Sequence, residues 1–189
     1  MNETQRQQTA PAAWIPARPD ASVADDFLAL ADRVVVEVAI LLAARTVGGA
    51  AACDLQIYDS GTGGLRIARH KGFTPESLDY FAAVDPSVPS ACGTALVTRH
   101  CVLIDDVAAS PIFRGRPTLD VMLAVGSRAV HSYPLHDSGG TLLGMLSLHY
   151  PIAEPHAAQE QLAWAAGLAL AEVLPRGVPR PDAVSAGRR

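Results

Sequence analysis

Residues 90–148 decide the fold of this chain: SACGTALVTRHCVLIDDVAASPIFRGRPTLDVMLAVGSRAVHSYPLHDSGGTLLGMLSL. Three phrases follow one another here at spacings too short for separate domains: a Cys-Gly pair in 90–96, two aspartates in 104–115, and two apolar runs in 128–148. The turn at 136–140, rich in Asp, Ser and Gly, separates those two runs. The last phrase therefore predicts a β-hairpin.

Elsewhere in the chain, hydrophobic periodicity and Gly or Pro residues at segment ends predict the remaining elements. The predicted helices cover 25–47, 75–84, 93–98 (a single turn), 117–125 and 155–174, and the predicted strands cover 51–58, 65–70, 101–104, 128–135 and 141–150. Hairpins dominate this order and the βαβ rhythm is missing. We therefore expect an α+β fold, with a central antiparallel sheet that carries helices on both faces.

Composition agrees with one globular domain. The chain has 189 residues, of which 49% are hydrophobic and 18% charged, enough to bury a substantial core without disulfides or structural metals. We expect the domain to span residues 22–174. The polar, proline-interrupted lead at 1–21 and the Pro/Arg-rich tail at 175–189 are predicted to be disordered.

Charge and cysteine usage exclude several classes of function. A net charge of −4 gives no basic field for nucleic acid, and three cysteines without CxxC spacing fit neither a disulfide framework nor a structural zinc site. The first residues lack a signal-peptide layout, and the uncharged run of the last helix is shorter than the ~20 residues that span a bilayer. We therefore predict a cytoplasmic protein with reduced thiols, without membrane or nucleic-acid partners.

The first and last helices both have apolar surfaces too wide for a single buried face. In the first helix, one stripe runs from Phe27 to Leu41, a second repeats every seven residues, and the polar face is narrow. The second stripe consists of Leu28, Val35 and Leu42, and the polar face of Asp26, Arg33 and Glu37. The last helix has no charge between Glu160 and Glu172. These surfaces predict a homodimer, which a charge at Ala166 should separate while the sheet stays intact.

The three phrases of residues 90–148 resemble the second half of a GAF domain, the small-molecule-binding and signalling module of bacterial sensor proteins. Residues 111–115, 119–124, 128–130 and 142–147 are similar to GAF segments that accompany PAS and histidine-kinase modules. The resemblance implies terminal helices packed together on one face of the sheet, commonly in a parallel dimer bundle. It also implies a ligand pocket on the opposite face, near Cys92.

Candidate ligand-binding residues follow from that pocket. We expect Cys92, in a loop at a helix start, to face it, although an inert buried cysteine is the alternative. Asp106 could accept hydrogen bonds from a ligand, but an aspartate in this position more often caps the following turn. Cys53 and Cys101 are interpreted as core residues.

The last hairpin contributes four further candidates: His131, Ser132, Tyr133 and His149. Alternation places His131 with Tyr133, and His149 with residues 145 and 147. If these two faces coincide, one pocket wall carries two imidazoles. The alternative for each histidine is a hydrogen-bonded residue of the core or its rim.

The resemblance also suggests an enzymatic alternative. Free methionine-(R)-sulfoxide reductases are GAF enzymes with a Cys-Gly pair and a second cysteine before an Asp-Val strand, similar to Cys92-Gly93 and Cys101 here. This chain, however, has no cysteine after Cys101, and residues 131–134 replace the substrate-contacting strand of those enzymes. We therefore expect no reductase activity, and a reductase or a thiol redox sensor that uses Cys92 and Cys101 is the alternative function.

No sequence signature of catalysis is present. Nucleophile-elbow, HExxH, Walker A and GxGxxG motifs are absent, as are the cyclic-nucleotide-binding GAF signature and a bilin-attaching Cys-His pair. We therefore predict no catalytic residue and no metal site, and the sequence names no cofactor. The prediction is a stand-alone, non-catalytic GAF sensory or regulatory module that binds a small molecule or a signalling protein.

Overall fold

The computed structural model describes residues 21–84 and 87–174. The predicted disordered lead, apart from its last residue, and the predicted tail lie outside the described residues. The helices are α1 (Ala21–Thr46), α2 (Pro75–Tyr80), α3 (Ala91–Thr98), α4 (Pro117–Ala124) and α5 (Glu160–Val173). The strands are β1 (Ala52–Asp59), β2 (Gly64–Lys71), β3 (Ala83–Val84), β4 (Val102–Ile104), β5 (Ala129–His136) and β6 (Leu142–Tyr150).

The six strands form one sheet in the order β3-β2-β1-β6-β5-β4. Each neighbouring pair is antiparallel. The hairpins β1–β2 and β5–β6 join through β1 and β6, which therefore lie in the middle of the sheet. The predicted α+β architecture is confirmed.

Helices cover both faces of this sheet. α1 and α5 pack together on one face, where they enclose the largest core cluster with β1, β5 and β6. α2, α3 and α4 cover the other face above two smaller clusters. Because both faces of β1 and β6 are covered, polar residues in the middle of these strands, such as Asp54, Gln56 and Ser147, are buried.

The helix predicted at 75–84 is shorter than expected. Thr74 caps α2 by accepting from the Ser77 amide, Pro75 occupies the first turn, and the helix ends at Tyr80. The chain then forms β3, which pairs with Leu65 and Arg66 of β2. Edge pairing and burial of Val84, which is 1% exposed, override the helical period of this segment.

The last helix begins at Glu160 rather than at residue 155. The stretch 151–159 instead crosses the end of the sheet, where His156 stacks on Tyr150 with ring centroids 3.8 Å apart. The Gln159 amide donates to the Tyr133 hydroxyl at 2.9 Å, directly before α5 begins. Tertiary contacts with β5 and β6 thus delay the start of the helix.

Two residues of the long helices lie deeper than the sequence indicated. Glu37, interpreted as part of a polar face, is 1% exposed, and its carboxylate contacts Arg33 Nε at 2.7 Å and Arg69 Nε of β2 at 2.9 Å. Ala166 is buried between α5 and the sheet. A charge at Ala166 would therefore disrupt the core, and the expectation that it spares the sheet is wrong.

Candidate functional site

A cavity of about 30 Å³ lies between the sheet and α2, α3 and α4. This volume holds one or two water molecules. It is far below the ~300–1,000 Å³ of ordinary small-molecule sites. A larger ligand would therefore have to displace side chains of the helical layer.

The floor of the cavity is polar because of the strand register. Alternation along β1 directs Asp54 and Gln56 to this face. Asp54 pairs with Ser147 of β6, and Ser147 pairs with Ser132 of β5. The two serine hydroxyls are hydrogen-bonded at 2.9 Å. His149 of β6 completes the floor.

The roof is mostly apolar. Its side chains come from the segment after β2, from α2, and from the region of α4: Phe73, Leu78, Phe81, Phe113 and Met122. The N-terminal end of α3 contributes Cys92, with Ser90 as the N-cap that accepts from the Gly93 amide at 3.0 Å. The cavity therefore separates hydrogen-bonding groups below from hydrocarbon above.

Asp54, His149 and Ser127 form a buried polar chain. Ser127 Oγ lies 2.9 Å from His149 Nδ1, and His149 Nε2 lies 3.4 Å from Asp54 Oδ1. The Ser127 hydroxyl can donate either to the Ala129 carbonyl at 3.3 Å or to Nδ1. When it donates to Nδ1, the ring proton sits on Nε2 and faces the carboxylate. Phe73 holds the ring from the side, edge-to-face at 4.9 Å. The histidine is thus oriented from three directions.

Two acceptor oxygens of the floor have no hydrogen-bond partner. They are Asp54 Oδ2 and Gln56 Oε1, on residues 4% and 3% exposed. Leaving a buried acceptor unsatisfied costs about 1–3 kcal/mol, and more for a charged group. Within the described residues, no donor is therefore within hydrogen-bond distance of these two oxygens.

Cys92 is a poor nucleophile in this environment. Its sulfur lies 3.4 Å from Ser90 Oγ and 3.8 Å from Gln56 Nε2. Burial, reinforced by the negative charge of Asp54, raises the pKa of the Cys92 thiol to about 11. The thiol is therefore protonated at neutral pH, and a stabilised thiolate at the helix start is not what the surroundings produce.

The six predicted site residues separate into two groups. The structure brings Cys92, Ser132 and His149 together at the cavity. Asp106 is exposed and caps the next turn by accepting from the Ala108 amide at 2.9 Å. His131 and Tyr133 point to the other face of the sheet, toward α1 and α5.

The two strand faces that carry His131 and His149 do not coincide, since His131 pairs with Leu148 while His149 pairs with Val130. Adjacent residues on β6 face opposite sides, so the two imidazoles lie on opposite faces.

His131 belongs to a buried aromatic cluster. Its Nδ1 lies 3.2 Å from the Tyr133 hydroxyl, its Nε2 lies 3.5 Å from Asp105, and the Tyr150 ring is 5.3 Å away. Burial lowers the pKa of His131 below its ordinary 6.5; Asp105 opposes this shift and His156 adds to it. The residue is a hydrogen-bonded core histidine, as the alternative interpretation held.

The other two cysteines lie apart from the cavity. Cys53 is buried and donates to the Leu41 carbonyl at 3.7 Å. Cys101 is exposed, so its assignment to the core is wrong. Val102, the next residue, pairs with Ser132 of β5. Because the strands are antiparallel, Cys101 lies opposite Tyr133, on the face of the sheet that packs against α5.

Sequence reasoning missed Asp54 and Gln56, the two most unusual residues of the site. A signal was present: two polar residues at alternate positions in an otherwise apolar central strand point to the same face. When both faces of that strand are covered, such residues are buried, and buried polar residues are retained only with partners or a role.

The part of the chain that the structure describes holds no group of three or more His, Cys, Asp or Glu residues able to bind a metal ion. Nor does any helix in 21–84 or 87–174 combine the length and apolarity that crossing a bilayer requires.

Comparison with known proteins identifies the fold. The model of the GAF domain family matches residues 26–172. The chain belongs to the GAF domain family. No curated protein sequence matches it. The GAF assignment fits the six-stranded sheet with α1 and α5 together on one face and the cavity on the other.

Solved GAF structures share this fold at low identity. The GAF domain/HD domain protein from Geobacter sulfurreducens is 16% identical, with 75% of this chain and 94% of that one covered and a TM-score of 0.60. A domain described as part of a two-component sensor histidine kinase from Sinorhizobium meliloti 1021 is 17% identical, with 73% and 90% covered and a TM-score of 0.59.

An enzyme has the same fold. Type II free methionine-R-sulfoxide reductase from Thermoplasma acidophilum is 12% identical, with 75% of this chain and 94% of that one covered and a TM-score of 0.54. Signalling domains and reductases thus both use this architecture, and the side chains of the site must distinguish them.

Proposed function

We propose that this GAF domain is a non-catalytic sensory or regulatory module that binds a small molecule in the cavity below α2, α3 and α4. One observation carries the proposal: two buried acceptors, Asp54 Oδ2 and Gln56 Oε1, belong to residues that line the cavity and have no hydrogen-bond partner in the described part of the chain. A donor bound in the cavity, from a water molecule or from a ligand, would relieve this cost. The signalling domains with the same fold support a sensory role.

The positions of the cysteines argue against a reductase. A thiol mechanism needs a thiolate and a second thiol that can reach it. Cys92 faces the cavity with its pKa raised to about 11, and Cys101 lies on the opposite face of the sheet beside α5. The two sulfurs cannot meet while the sheet is intact. The same geometry disfavours a redox sensor based on this pair.

The test is a cavity-filling substitution. Ser77→Leu on α2 directs extra methyl groups into the cavity, because Ser77 is 3% exposed and lines it. We expect small molecules found by native mass spectrometry or thermal-shift screening to bind the wild-type protein and to lose affinity in Ser77→Leu. Ser138→Leu, in the exposed β5–β6 turn, serves as the control.

Screening hits that bind Ser77→Leu and wild type equally would contradict a site in this cavity. Turnover of free methionine-(R)-sulfoxide that is lost in Cys92→Ser would overturn the non-catalytic assignment.

The outer surface of α1 supports a homodimer. Leu28, Val35, Val38 and Leu42 form a heptad-spaced stripe, each more than half exposed, on the side of the helix opposite its buried residues. Trp164 of the neighbouring α5 is 68% exposed. An apolar surface of this kind on two adjacent helices is typical of a protein interface. We place the dimer contact on this α1–α5 surface.

Val35→Glu tests this contact. Val35 is 67% exposed, so its replacement leaves the core intact but places a charge in the stripe. We expect the wild-type protein to sediment as a dimer at tens of micromolar and Val35→Glu to sediment as a monomer. The monomeric variant should keep the native fold. Ser138→Glu should stay dimeric. A monomeric wild-type protein at this concentration would refute the dimer.

Two further features concern the setting of the protein. The three cysteines are all free in the structure, which agrees with the reducing cytoplasm that we propose as its location.

A signalling protein partner could use the same apolar surface as the second copy, and a hetero-complex formed by Val35→Glu but not by the wild-type dimer would indicate such competition.

A further inference from the structure

We propose that the cavity recognises a ligand through a protonated nitrogen, an ammonium or amidinium group on a short apolar or aromatic stem. This inference rests on the proposed function and adds the chemical class of the ligand. The group would sit between Asp54 Oδ2 and Gln56 Oε1 and donate to both. A positively charged N–H group supplies both hydrogen-bond donors for these two oxygens and a counter-charge for the Asp54 carboxylate.

The floor carries negative charge without a fixed counter-charge. Asp54 is 4% exposed, and within the described part of the chain its only ion-pair partner is His149, which is cationic only when protonated. The field of this carboxylate reaches the neighbouring thiols, since Asp54 contributes to the raised pKa of both Cys92 and Cys53. A ligand cation would neutralise a charge that the protein leaves open.

The same floor opposes anions. Among the described residues that line the cavity there is neither lysine nor arginine. Carboxylates and phosphates are normally held by such side chains, or by several amide donors. An anionic ligand would instead meet the carboxylate of Asp54 and the amide oxygen of Gln56. The floor therefore disfavours nucleotides and free carboxylic acids as the recognised head group.

The roof fits the rest of such a ligand. Phe73, Phe81 and Phe113 line the upper part of the cavity, where aromatic faces attract a cation or pack against a hydrophobic stem. The cavity of about 30 Å³ admits only the head group while the roof is closed. A longer stem therefore requires the roof side chains to move apart.

The experiment compares head groups on one stem. Benzylammonium, benzyl alcohol and benzoate are titrated at pH 7.5 into the full-length wild-type protein, with methylammonium as the head group alone, and binding is followed by amide chemical shifts. We expect saturable shifts at β1 and β6 for the amines, with benzylammonium at least about tenfold tighter than the alcohol or the acid.

Asp54→Asn is the decisive variant. It keeps the shape of the side chain and an oxygen toward His149 but removes the charge, so amine affinity should fall at least about tenfold. Asp120→Asn, on the exposed side of α4, removes the same charge outside the cavity and should bind as wild type does. Asp54→Asn should also melt no lower than wild type without ligand, which shows that the fold is retained.

The outcomes separate this inference from the proposed function. Equal binding of the alcohol or of benzoate at the cavity would overturn the cationic class and leave a small-molecule site standing. Failure of both amines to bind wild type, or retained amine affinity in Asp54→Asn, would also overturn the inference. Loss of all binding in Ser77→Leu tests the site itself, whichever head group is preferred.

Discussion

Cys92 and Cys101 show how strongly the surroundings decide what a residue can do. Both belong to the segment that resembles a reductase, yet one is enclosed with its pKa raised to about 11 and the other is exposed. Burial, then the charge of Glu160, also raises the pKa of Cys101. Neither residue has the cationic environment that produces a reactive thiolate.

Alkylation should separate the three thiols. In native protein at pH 7.5, we expect iodoacetamide to modify Cys101 slowly and to leave Cys53 and Cys92 unmodified, because both are buried with raised pKa values. In denaturant all three should react at similar rates. Peptide mass spectrometry after timed quenching measures this order.

Cys101→Ser is the control, and its native form should resist labelling. Rapid native modification of Cys92 would show that the cavity is open and that its thiol is more acidic than its surroundings dictate.

Helix α5 is fitted to the sheet through a glycine. A Cβ atom at Gly167 would lie 2.4 Å from the His136 carbonyl oxygen and 3.0 Å from its amide nitrogen. Backbone atoms cannot move aside as a flexible side chain can. The small residues that made this helix look like an interface therefore serve, at this position, the contact with β5.

Gly167→Ala should destabilise the fold. Alanine is the better helix former by about 1 kcal/mol, but overpacking against a strand costs about 1–3 kcal/mol, so we expect a net loss in the free energy of unfolding. Urea denaturation followed by circular dichroism measures the difference.

Ala165→Gly, at an exposed position of the same helix, is the matched control and should lose about 1 kcal/mol from helix propensity alone. A more stable Gly167→Ala protein would contradict the close approach of α5 to β5.

The sequence predicted most elements of the fold, because their signals are local. Hairpin turns and helix-ending glycines located β1, β2, β5, β6 and α4 within about two residues. The errors at α2 and at the start of α5 arise where pairing with β2 or contacts with β5 and β6 outweigh helical periodicity. Such contacts join distant segments, and no single stretch of sequence encodes them.

The candidate site was predictable only in part, for a geometric reason. Ser132 and His149 face the cavity and His131 does not, which depends on the register between β5 and β6. Alternation assigns residues to one of two faces but does not say which face of one strand matches which face of the next. Asp54 belongs to no motif, and its alternation with Gln56 indicates a buried site only once both faces of β1 are known to be covered.

At the scale of the whole molecule, a single cluster joins β4, β5, β6 and the segment before α5. Asp105 follows β4, His131 and Tyr133 lie on β5, Tyr150 ends β6, and His156 belongs to the following segment. Stability of the assembled fold therefore depends on the protonation state at its centre.

We expect the free energy of unfolding to fall as the pH drops below about 6.5. Burial lowers the pKa of His131 in the folded state, so the unfolded chain binds the proton first and is favoured as acid is added. The contribution of neutral His131 to the free energy of unfolding is complete above about pH 6.5. It is lost as the pH falls toward the lower pKa of His131 in the folded state. Asp105 and His156, which face the ring, modify the width of this window.

Urea denaturation at pH 7.5 and 5.5 measures the effect. His131→Asn should reduce the difference between the two values even if it lowers both, whereas His100→Asn, at an exposed position, should leave it as in wild type. An equal pH dependence in wild type and His131→Asn would show that other groups cause the acid sensitivity.

The polar floor of the cavity also bears on how the chain avoids misfolding. Along β1, Asp54 and Gln56 alternate with Cys53 and Leu55, which face α1 and α5. A slip of one residue would drive a carboxylate and an amide into the hydrocarbon of that core and turn the leucine toward the polar floor. Asp54 and Gln56, whose side-chain oxygens lack hydrogen-bond partners, thus penalise misaligned pairing of the central strand during folding, before any ligand is present.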